Sequence, residues 1–346
     1  MKRLLHILIA SAFTIWALNV VGSVQAADFT LKLHHFLGPK APAHTKMLLP
    51  WVNKVEELSK GRVKIDIYPA MSLGGKPPQL IRQVRDGVVD LVWTVNGYTP
   101  GLFPRTEVFE LPFIHTNDPV ATNLAMREMF DENLAEEYRG LKVMFLHVHQ
   151  GQAIHMVNKV IRKPSDFNGT KMRIPTRTGA WVLEAMGAAP VSMPVPGLPQ
   201  ALSKKVVDGA LIPWEIIPPL KLQDMTKYQI EGENMTRFGT TTFQVSMNQG
   251  TWDKLPGDLQ DAFMQASNKA WVREVGEVWH RTDIGGIGVA TKAGNEHITL
   301  SAAETAEFKK VLEPVVDRWV KEVSGAGIDG NSLVSKAREL VAKYSK

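Results

Sequence analysis

The chain contains no cysteine among its 346 residues. This absence excludes disulfide bonds, thiolate metal sites and cysteine nucleophiles, so the fold must be stabilised by its hydrophobic core, which a chain of this size can build. No block of five or more like charges occurs either. A nucleic-acid-binding surface is therefore not expected, and we predict no nucleic-acid partner.

Recognisable catalytic and nucleotide-binding motifs are also missing. The sequence has no G-x-S-x-G nucleophile motif, no G-x-x-x-x-G-K-[ST] phosphate loop and no H-E-x-x-H zinc motif. Gly285, Gly286 and Gly288 lie close together but lack the spacing of a dinucleotide site. We therefore predict a protein that is not an enzyme and that holds no cofactor and no metal. An enzyme is the alternative.

The N-terminus has the order of segments of a secretory signal peptide. Lys2 and Arg3 precede a mainly apolar run over residues 4–21, and Val24 and Ala26 then occupy the −3 and −1 positions. We expect cleavage after Ala26 and a periplasmic location. A membrane anchor is the alternative, because the run approaches the ~20 residues of a spanning helix. The remaining 320 residues carry 38 basic and 35 acidic side chains. They include no further apolar span, so we expect a soluble protein.

Hydrophobic periodicity predicts two successive α/β units. Alternating apolar residues predict strands over 29–33, 63–68 and 88–93, with helices over 45–58 and 78–86 between them. A second alternation follows, with strands predicted over 142–148, 171–175, 190–193 and 207–212 and helices predicted over 179–186 and 199–205. This order is typical of mostly parallel sheets covered by helices. Apolar spacing from Asp258 to about Asp283 predicts one helix of ~37 Å, long enough to brace both units.

Four histidines are candidates for a functional site. His35 ends the first predicted strand, where ligand crevices of parallel sheets occur; ordinary hydrogen bonding is the alternative. His147 and His149 lie two residues apart on a strand, and His155 follows nearby. Three imidazoles could bind zinc, but a hydrogen-bonded face at the end of a strand is the interpretation we favour.

Four large aromatic residues are candidates for the wall of a ligand site: Trp93, Trp181, Trp214 and Phe243. Packing in the core is the alternative for each of them. Trp214 follows Pro213 directly after a predicted strand, at the position where the crevice of an α/β domain is expected.

Several segments together resemble one protein family. Residues 164–175 read PSDFNGTKMRIP, residues 186–193 read MGAAPVSM, residues 206–209 read VVDG and residues 111–113 read LPF. In their order and spacing they are similar to the solute-binding proteins of tripartite ATP-independent periplasmic (TRAP) transporters, of the dicarboxylate-binding DctP type. The likeness extends over essentially the whole chain after residue 26.

The resemblance implies a two-domain periplasmic binding protein fold of class α/β, with a hinge, a central cleft and a long bracing helix. Domain I is expected at 27–150 plus 239–278, and domain II at 151–238 plus 279–346. The implied partners are a small organic acid and the small and large TRAP membrane subunits. We expect a monomer that closes on its ligand.

By the same resemblance, Arg173 pairs with the ligand's carboxylate. A guanidinium offers two parallel donors and stays charged at cellular pH; an internal salt bridge is the alternative for a buried arginine. Residues 150–158 contain no arginine where many family members have a second one. Arg177 is a possible substitute cation.

The family's frequent ligand-contacting asparagine is replaced by Ile212, and Trp214 and Glu215 follow. With one certain arginine and an apolar replacement, we predict a monocarboxylate with an apolar or aromatic body, such as a 2-hydroxy or 2-keto acid. Glu215 could accept a hydrogen bond from a ligand hydroxyl or repel a second carboxylate. A C4-dicarboxylate or a sugar acid is the alternative ligand, and a periplasmic enzyme acting on an organic acid is the alternative function.

Overall fold

The computed structural model describes residues 27–345, so the predicted signal peptide at residues 1–26 lies outside the described residues. Within them, eleven strands form two sheets. The strands are β1 (Phe29–His35), β2 (Val63–Tyr68), β3 (Leu91–Val95), β4 (Leu141–Val148), β5 (Ala153–Met156), β6 (Lys171–Ile174), β7 (Ala189–Ser192), β8 (Gly209–Ile212), β9 (Tyr228–Glu231), β10 (Thr242–Asn248) and β11 (Glu296–Thr299).

Twelve α-helices within residues 27–345 cover these sheets, and a π-helical segment, Ala43–Leu48, precedes the first of them. None of the described helices is both long and apolar enough to cross a membrane. The helices are α1 (Leu49–Leu58), α2 (Leu80–Arg85), α3 (Pro119–Met129), α4 (Arg177–Ala185), α5 (Leu198–Ser203), α6 (Ile217–Leu220), α7 (Gln249–Asp253), α8 (Gly257–Ala266), α9 (Lys269–Lys292), α10 (Ala302–Leu312), α11 (Pro314–Ser324) and α12 (Gly330–Tyr344).

The first sheet has the strand order β2-β1-β3-β10-β4. β1 pairs in parallel with β2 and β3, with Leu33 beside both Ile67 and Leu91. The alternation of strands and helices in this part of the sequence requires such parallel pairs. β10 is different, because it runs antiparallel to both β3 and β4.

The second sheet has the order β11-β9-β5-β8-β6-β7. β6 pairs in parallel with β7 and β8, and β9 with β11, whereas β5 is antiparallel to β8 and β9. Each reversed strand, β5 or β10, is the first strand after the chain has crossed from the other sheet. The prediction of mostly parallel sheets is therefore corrected: each sheet is mixed and has one reversed strand, whereas β11, which also follows a crossing, runs parallel to β9.

The predicted helix from residue 258 to about 283 is divided in two. α8 ends at Ala266, and α9 begins after Asn268, whose side chain accepts a hydrogen bond from the Trp271 amide. At the break, Ser267 Oγ accepts a hydrogen bond of 3.0 Å from the Trp51 indole. The long helix is α9, whose 24 residues span ~36 Å.

α9 packs against elements of both sheets: α3 and β4 on one side, α6 and β11 on the other. Two glycines permit its close approach. A Cβ atom at Gly276 would lie 2.6 Å from the Cα atom of Val120, and one at Gly286 would lie 2.1 Å from the carbonyl oxygen of Trp214. A helix thus braces both units, as the sequence predicted, although it occupies later residues.

The last helix, α12, packs against α3, which lies beside β4 of the first sheet. Its buried face carries Leu333, Val334, Ala337, Leu340 and Val341, and these residues share one hydrophobic cluster with α3. This packing differs from the predicted domain II, which included all of residues 279–346. The helical spacing of its apolar residues gives α12 one apolar face, which packs against buried apolar residues of α3.

Candidate functional site

A cavity lies between the two units, and the space not filled by protein atoms there is about 520 Å³ when the part open to solvent is included. Its apolar lining consists of Phe36, Leu37, Pro42, Ala43, Trp93, Val95, Pro175, Val195, Leu211, Ile212, Pro213, Ile216, Phe243 and Trp279. Its polar lining consists of Tyr98, His149, Gln152, Arg173, Glu215 and Thr241.

Four rings of this lining, Phe36, Trp93, Phe243 and Trp279, form what we call the aromatic wall. Trp93 stacks nearly parallel between Phe36 and Phe243, with ring centroids 4.8 and 5.3 Å apart. β3 and β10 place Trp93 and Phe243 side by side, because Val95 is the direct partner of Phe243 across the two strands. Both residues were predicted from the sequence as candidates for a ligand-lining wall, and both line the cavity.

His147 supports the aromatic wall from behind. Its Nε2 lies 2.8 Å from the Trp93 indole nitrogen and its Nδ1 lies 2.9 Å from that of Trp279. Burial lowers the pKa of His147 to about 3, so the ring is neutral and has one acceptor nitrogen. Only one of the two indole N–H groups can therefore donate to His147 at a time.

Arg173, on β6, is the cation of the cavity. Its side chain is buried, and its Nε and Nη2 donate to the carbonyl oxygen of Met193 at 3.0 and 2.9 Å. Burial lowers the pKa of Arg173, and the one ionisable group that counteracts this is the neighbouring Tyr98. No described carboxylate pairs with Arg173, so its charge is buried without a compensating anion, which is energetically costly.

Tyr98 connects the two units beside Arg173. It lies directly after β3, and its hydroxyl oxygen accepts a hydrogen bond of 2.9 Å from the backbone amide of Val195, in the second unit. Burial raises the pKa of Tyr98, which keeps the hydroxyl protonated. Arg173 therefore faces a phenol rather than a phenolate.

His149 presents a hydrogen-bond donor at the cavity. Its Nδ1 accepts a hydrogen bond of 3.0 Å from the Gly151 amide, and burial holds the pKa of His149 well below its ordinary value. A neutral imidazole that accepts at Nδ1 carries its proton on Nε2. The sequence analysis considered His149 as a zinc ligand, favoured a hydrogen-bonded face at the end of a strand, and did not assign His149 to a ligand cavity.

Gln152 and Glu215 complete the polar lining. The Gln152 amide nitrogen donates to Thr241 Oγ1 at 3.0 Å, while its Oε1 is buried without a partner in the described residues. Glu215 is buried, and its Oε2 likewise has no partner among them. Burial, together with the charge of Asp283, raises the pKa of Glu215 well above its ordinary value, which favours the neutral acid.

His35 and His155, both predicted as site residues, do not line the cavity. His35 lies behind the aromatic wall with its Nε2 2.9 Å from His44 Nδ1, and burial lowers the pKa of His35 to about 3. His155 Nε2 lies 3.1 Å from the carbonyl oxygen of Ile212, and burial lowers its pKa to about 3. Both predictions of ligand contact are corrected, because these rings lie in the protein interior.

The prediction that Trp214 contacts the ligand is also corrected. Trp214 is fully buried beside the cavity and does not line it. Its indole nitrogen donates to Glu231 at 3.2 Å, and its ring packs edge-on against His155. Its backbone amide donates to Asp283 at 3.0 Å. The same two carboxylates hold the buried Arg237, at 2.8 and 2.9 Å. We call Trp214, Glu231, Arg237 and Asp283 the buried ion cluster.

The prediction of Arg177 as a second cation of the ligand site is corrected as well. Its Nε and Nη2 each donate to Glu107 at 2.7 Å, and its Nη1 lies 3.4 Å from Glu322. These acids occupy the guanidinium, so Arg177 is not a second cation of the cavity. Trp181, another aromatic candidate, lies outside the cavity under the guanidinium groups of Arg177 and Arg318.

The Arg177–Glu107 pair is one of several contacts that join the units beside the cavity. Thr178, also on α4, donates to Glu110 at 2.7 Å, and Glu110 accepts from the Thr242 amide of β10 at 2.9 Å. Burial raises the pKa of Glu110 to about 7. Gly97 lies so close to α4 that a Cβ atom there would be 2.3 Å from the Thr176 side chain.

Within residues 27–345, no group of three or more histidine, cysteine, aspartate or glutamate residues is disposed to hold a metal ion. His147, His149 and His155, which the zinc alternative would combine, instead contact two indoles, a backbone amide and a backbone carbonyl respectively.

Residues 33–322 match the family model DctP, described as bacterial extracellular solute-binding protein, family 7. A curated relative, the C4-dicarboxylate-binding periplasmic protein DctP of Rhodobacter capsulatus, is 25% identical over 332 residues, which are 94% of this chain and 96% of the relative.

Two solved structures are more similar in sequence. One is a TRAP solute-binding protein from an unidentified marine microbe, described as specific for aromatic acid ligands and crystallised with 3-hydroxybenzoate. It has 40% identity and a TM-score of 0.90, covering 93% of this chain and 100% of that one. The other, from Rhodoferax ferrireducens T118, holds copurified benzoate and has 38% identity and a TM-score of 0.89, covering 91% and 98%.

Proposed function

Because this chain belongs to the DctP family of bacterial extracellular solute-binding proteins, we propose that it is the periplasmic subunit of a TRAP transporter and that it captures an aromatic monocarboxylate between its two units. The observation that carries this proposal is Arg173, a buried cation without an acidic partner, in a cavity lined mainly by aromatic and aliphatic side chains. A carboxylate on Arg173 would supply the missing anion, and the ring would lie against the aromatic wall.

The donors around Arg173 fit a single carboxylate. The guanidinium offers parallel N–H groups, and the Nε2–H of His149 belongs to the same cavity lining. With Arg177 held by Glu107 and Glu322, the cavity lacks a second free cation among the described residues. A buried second carboxylate would remain unpaired, which disfavours C4-dicarboxylates. The mainly apolar lining disfavours sugar acids in the same way.

The two structural relatives support the aromatic body of the ligand, because one is described as specific for aromatic acids and the other holds benzoate. Neither ligand is a 2-hydroxy or 2-keto acid. Our proposal therefore covers aromatic monocarboxylates in general and is broader than the examples predicted from the sequence. The relatives are solute-binding proteins, in agreement with a transport role rather than catalysis.

Ligand capture would couple to closure of the two units. The contacts beside the cavity, Tyr98 with Val195 and Glu107 with Arg177, join residues of different units, so a hinge opening would break them. A bound carboxylate would stabilise the closed arrangement, which the membrane subunits would then recognise. We further propose export to the periplasm and cleavage after Ala26, which N-terminal sequencing of the secreted protein would test.

Calorimetry on residues 27–346, freed of copurified ligand by unfolding and refolding, tests the ligand class. We expect benzoates to bind and benzamide, which has the same shape without the charge, to bind at least tenfold more weakly, since a charged hydrogen bond contributes about 1.5–3 kcal/mol. At about 100 times its dissociation constant, a ligand should add ~2.7 kcal/mol to the free energy of unfolding. Tightest binding of succinate, malate or a sugar acid would contradict the proposal.

A further inference from the structure

Two residues that line the cavity each carry a buried side-chain oxygen atom that no described residue satisfies. One is Glu215 Oε2 and the other is Gln152 Oε1, and both residues line the cavity together with Arg173. Native proteins rarely leave buried polar atoms without a partner, so each of these two atoms requires an explanation.

The orientation of the Gln152 amide follows from its hydrogen bonds. Its nitrogen lies 3.0 Å from Thr241 Oγ1 and 3.4 Å from the carbonyl oxygen of Thr240. A carbonyl oxygen accepts only, so the amide nitrogen belongs on that side and Oε1 is the atom left over. Gln152 thus offers the ligand an acceptor and requires a donor from it.

Glu215 offers the complementary chemistry. The residue is only 6% exposed, and no described lysine or arginine forms an ion pair with its carboxyl group. Burial and the charge of Asp283 raise its pKa well above the ordinary value. In the neutral form its unpartnered oxygen can donate as well as accept a hydrogen bond.

One common group both donates and accepts: a hydroxyl. We propose that Glu215 and Gln152 are the specificity-determining residues of this cavity and that they select aromatic acids carrying a ring hydroxyl. This inference rests on the proposed function and narrows its substrate class. A second carboxylate would not serve, because an ionised carboxylate cannot donate to Gln152.

The test compares ligands that differ only at one ring substituent. Calorimetry on the wild-type protein would use benzoate and the three monohydroxybenzoates. The three methylbenzoates would serve as controls that fill the same space without hydrogen bonding. We expect one hydroxy isomer to bind about tenfold or more tightly than the methylbenzoate substituted at the same position, because a site built to hydrogen-bond a hydroxyl rejects analogues that lack it.

The matched variants are Glu215→Leu and Glu137→Gln. The affinity ratio of hydroxy to methyl ligand should fall to about one in Glu215→Leu, because the hydroxyl loses its partner. Using a ratio removes any general change in affinity. The ratio should persist in Glu137→Gln, because Glu137 lies outside the cavity lining and accepts hydrogen bonds from the Arg105 and Thr106 amides of its own unit. Circular dichroism and the melting temperature would verify that both variants fold.

The outcomes separate the two proposals. If wild-type protein binds no benzoate of the series, the proposed function fails. If it binds benzoates but no hydroxy isomer exceeds its methyl counterpart, or if the preference persists in Glu215→Leu, the hydroxyl assignment is overturned. The wild-type series alone decides the matter should Glu215→Leu fail to fold.

Discussion

Arg173 and Arg237 are both almost completely buried, yet their surroundings are opposite. Arg237 lies in the buried ion cluster and contacts two carboxylates, Glu231 and Asp283. Arg173 donates to one backbone carbonyl and contacts a neutral phenol. Removing a buried cation that the protein itself neutralises leaves buried carboxylates unpaired, whereas a buried cation without an anion is available for a ligand. The comparison separates a structural arginine from a binding arginine without reference to their positions in the sequence.

The largest expected effect on stability is at Arg237. Arg237→Met would leave two buried carboxylates without their partner and should lower the free energy of unfolding by about 3–5 kcal/mol. Urea denaturation would measure it. The control is Arg62→Met, because Arg62 forms its ion pairs with Asp28 and Asp258 at the surface, where solvent screens them and the loss should be far smaller. Equal losses in the two variants would contradict the comparison.

Arg173→Met should lower ligand affinity without lowering stability, unlike Arg237→Met. We expect the affinity for a benzoate ligand to fall about 30-fold or more, since removing one partner of a buried charge pair costs about 2–5 kcal/mol. Without ligand, the free energy of unfolding should stay equal or rise, because an unpaired buried charge has been removed.

Arg173→Lys sharpens this result, because it keeps the charge and removes the planar fork. It should bind more weakly than wild type in the same calorimetric titration. Retention of affinity within about threefold in Arg173→Met would assign the carboxylate to another residue, with His149 as the first alternative to test.

The smallest expected effect is at Trp214, which belongs to the buried ion cluster and not to the cavity lining. Trp214→Phe removes the indole hydrogen bond to Glu231 and should cost about 1 kcal/mol of stability, with benzoate affinity unchanged. Thermal denaturation and calorimetry on the same sample measure both quantities. A tenfold loss of affinity with normal stability would restore the ligand contact that the sequence predicted.

The family and the α/β class were predicted from the sequence and are confirmed. Local periodicity identified β1, β2 and β4 because their apolar residues alternate within a few positions of the chain. It missed β5, β9, β10 and β11, three of which have four residues each. The reversed direction of β5 and β10 depends on where the chain crosses between sheets, and no local pattern records this.

The site was predicted in part. Arg173, Trp93, Phe243 and Glu215 line the cavity, and each stood in a motif or at the end of a predicted strand. The predictions for the misassigned residues were wrong for one physical reason: their hydrogen-bond and ion-pair partners come from distant segments of the chain. Arg177 is held by Glu107, which lies 70 residues away.

Tyr98, His149, Gln152 and Trp279 also line the cavity and were missed. His149 and Gln152 lie in the short segment between β4 and β5, where the chain crosses between the sheets, and Tyr98 lies shortly after β3. Their position at strand ends was the available signal. Trp279 lies within α9, where an aromatic residue at helical spacing looks like any other core residue.

The central place of β10 in the first sheet has a consequence for how the molecule is made. Trp93 pairs with Val245, and His147 with Phe243, across long loops of chain. Such distant pairings form late, because the entropy of closing the loop opposes them. A nascent chain that ends before Thr242 exposes the facing edges of β3 and β4. The aromatic wall is therefore completed only after β5 to β9 of the second unit have been synthesised, and ligand recognition requires residues from both units rather than from either alone.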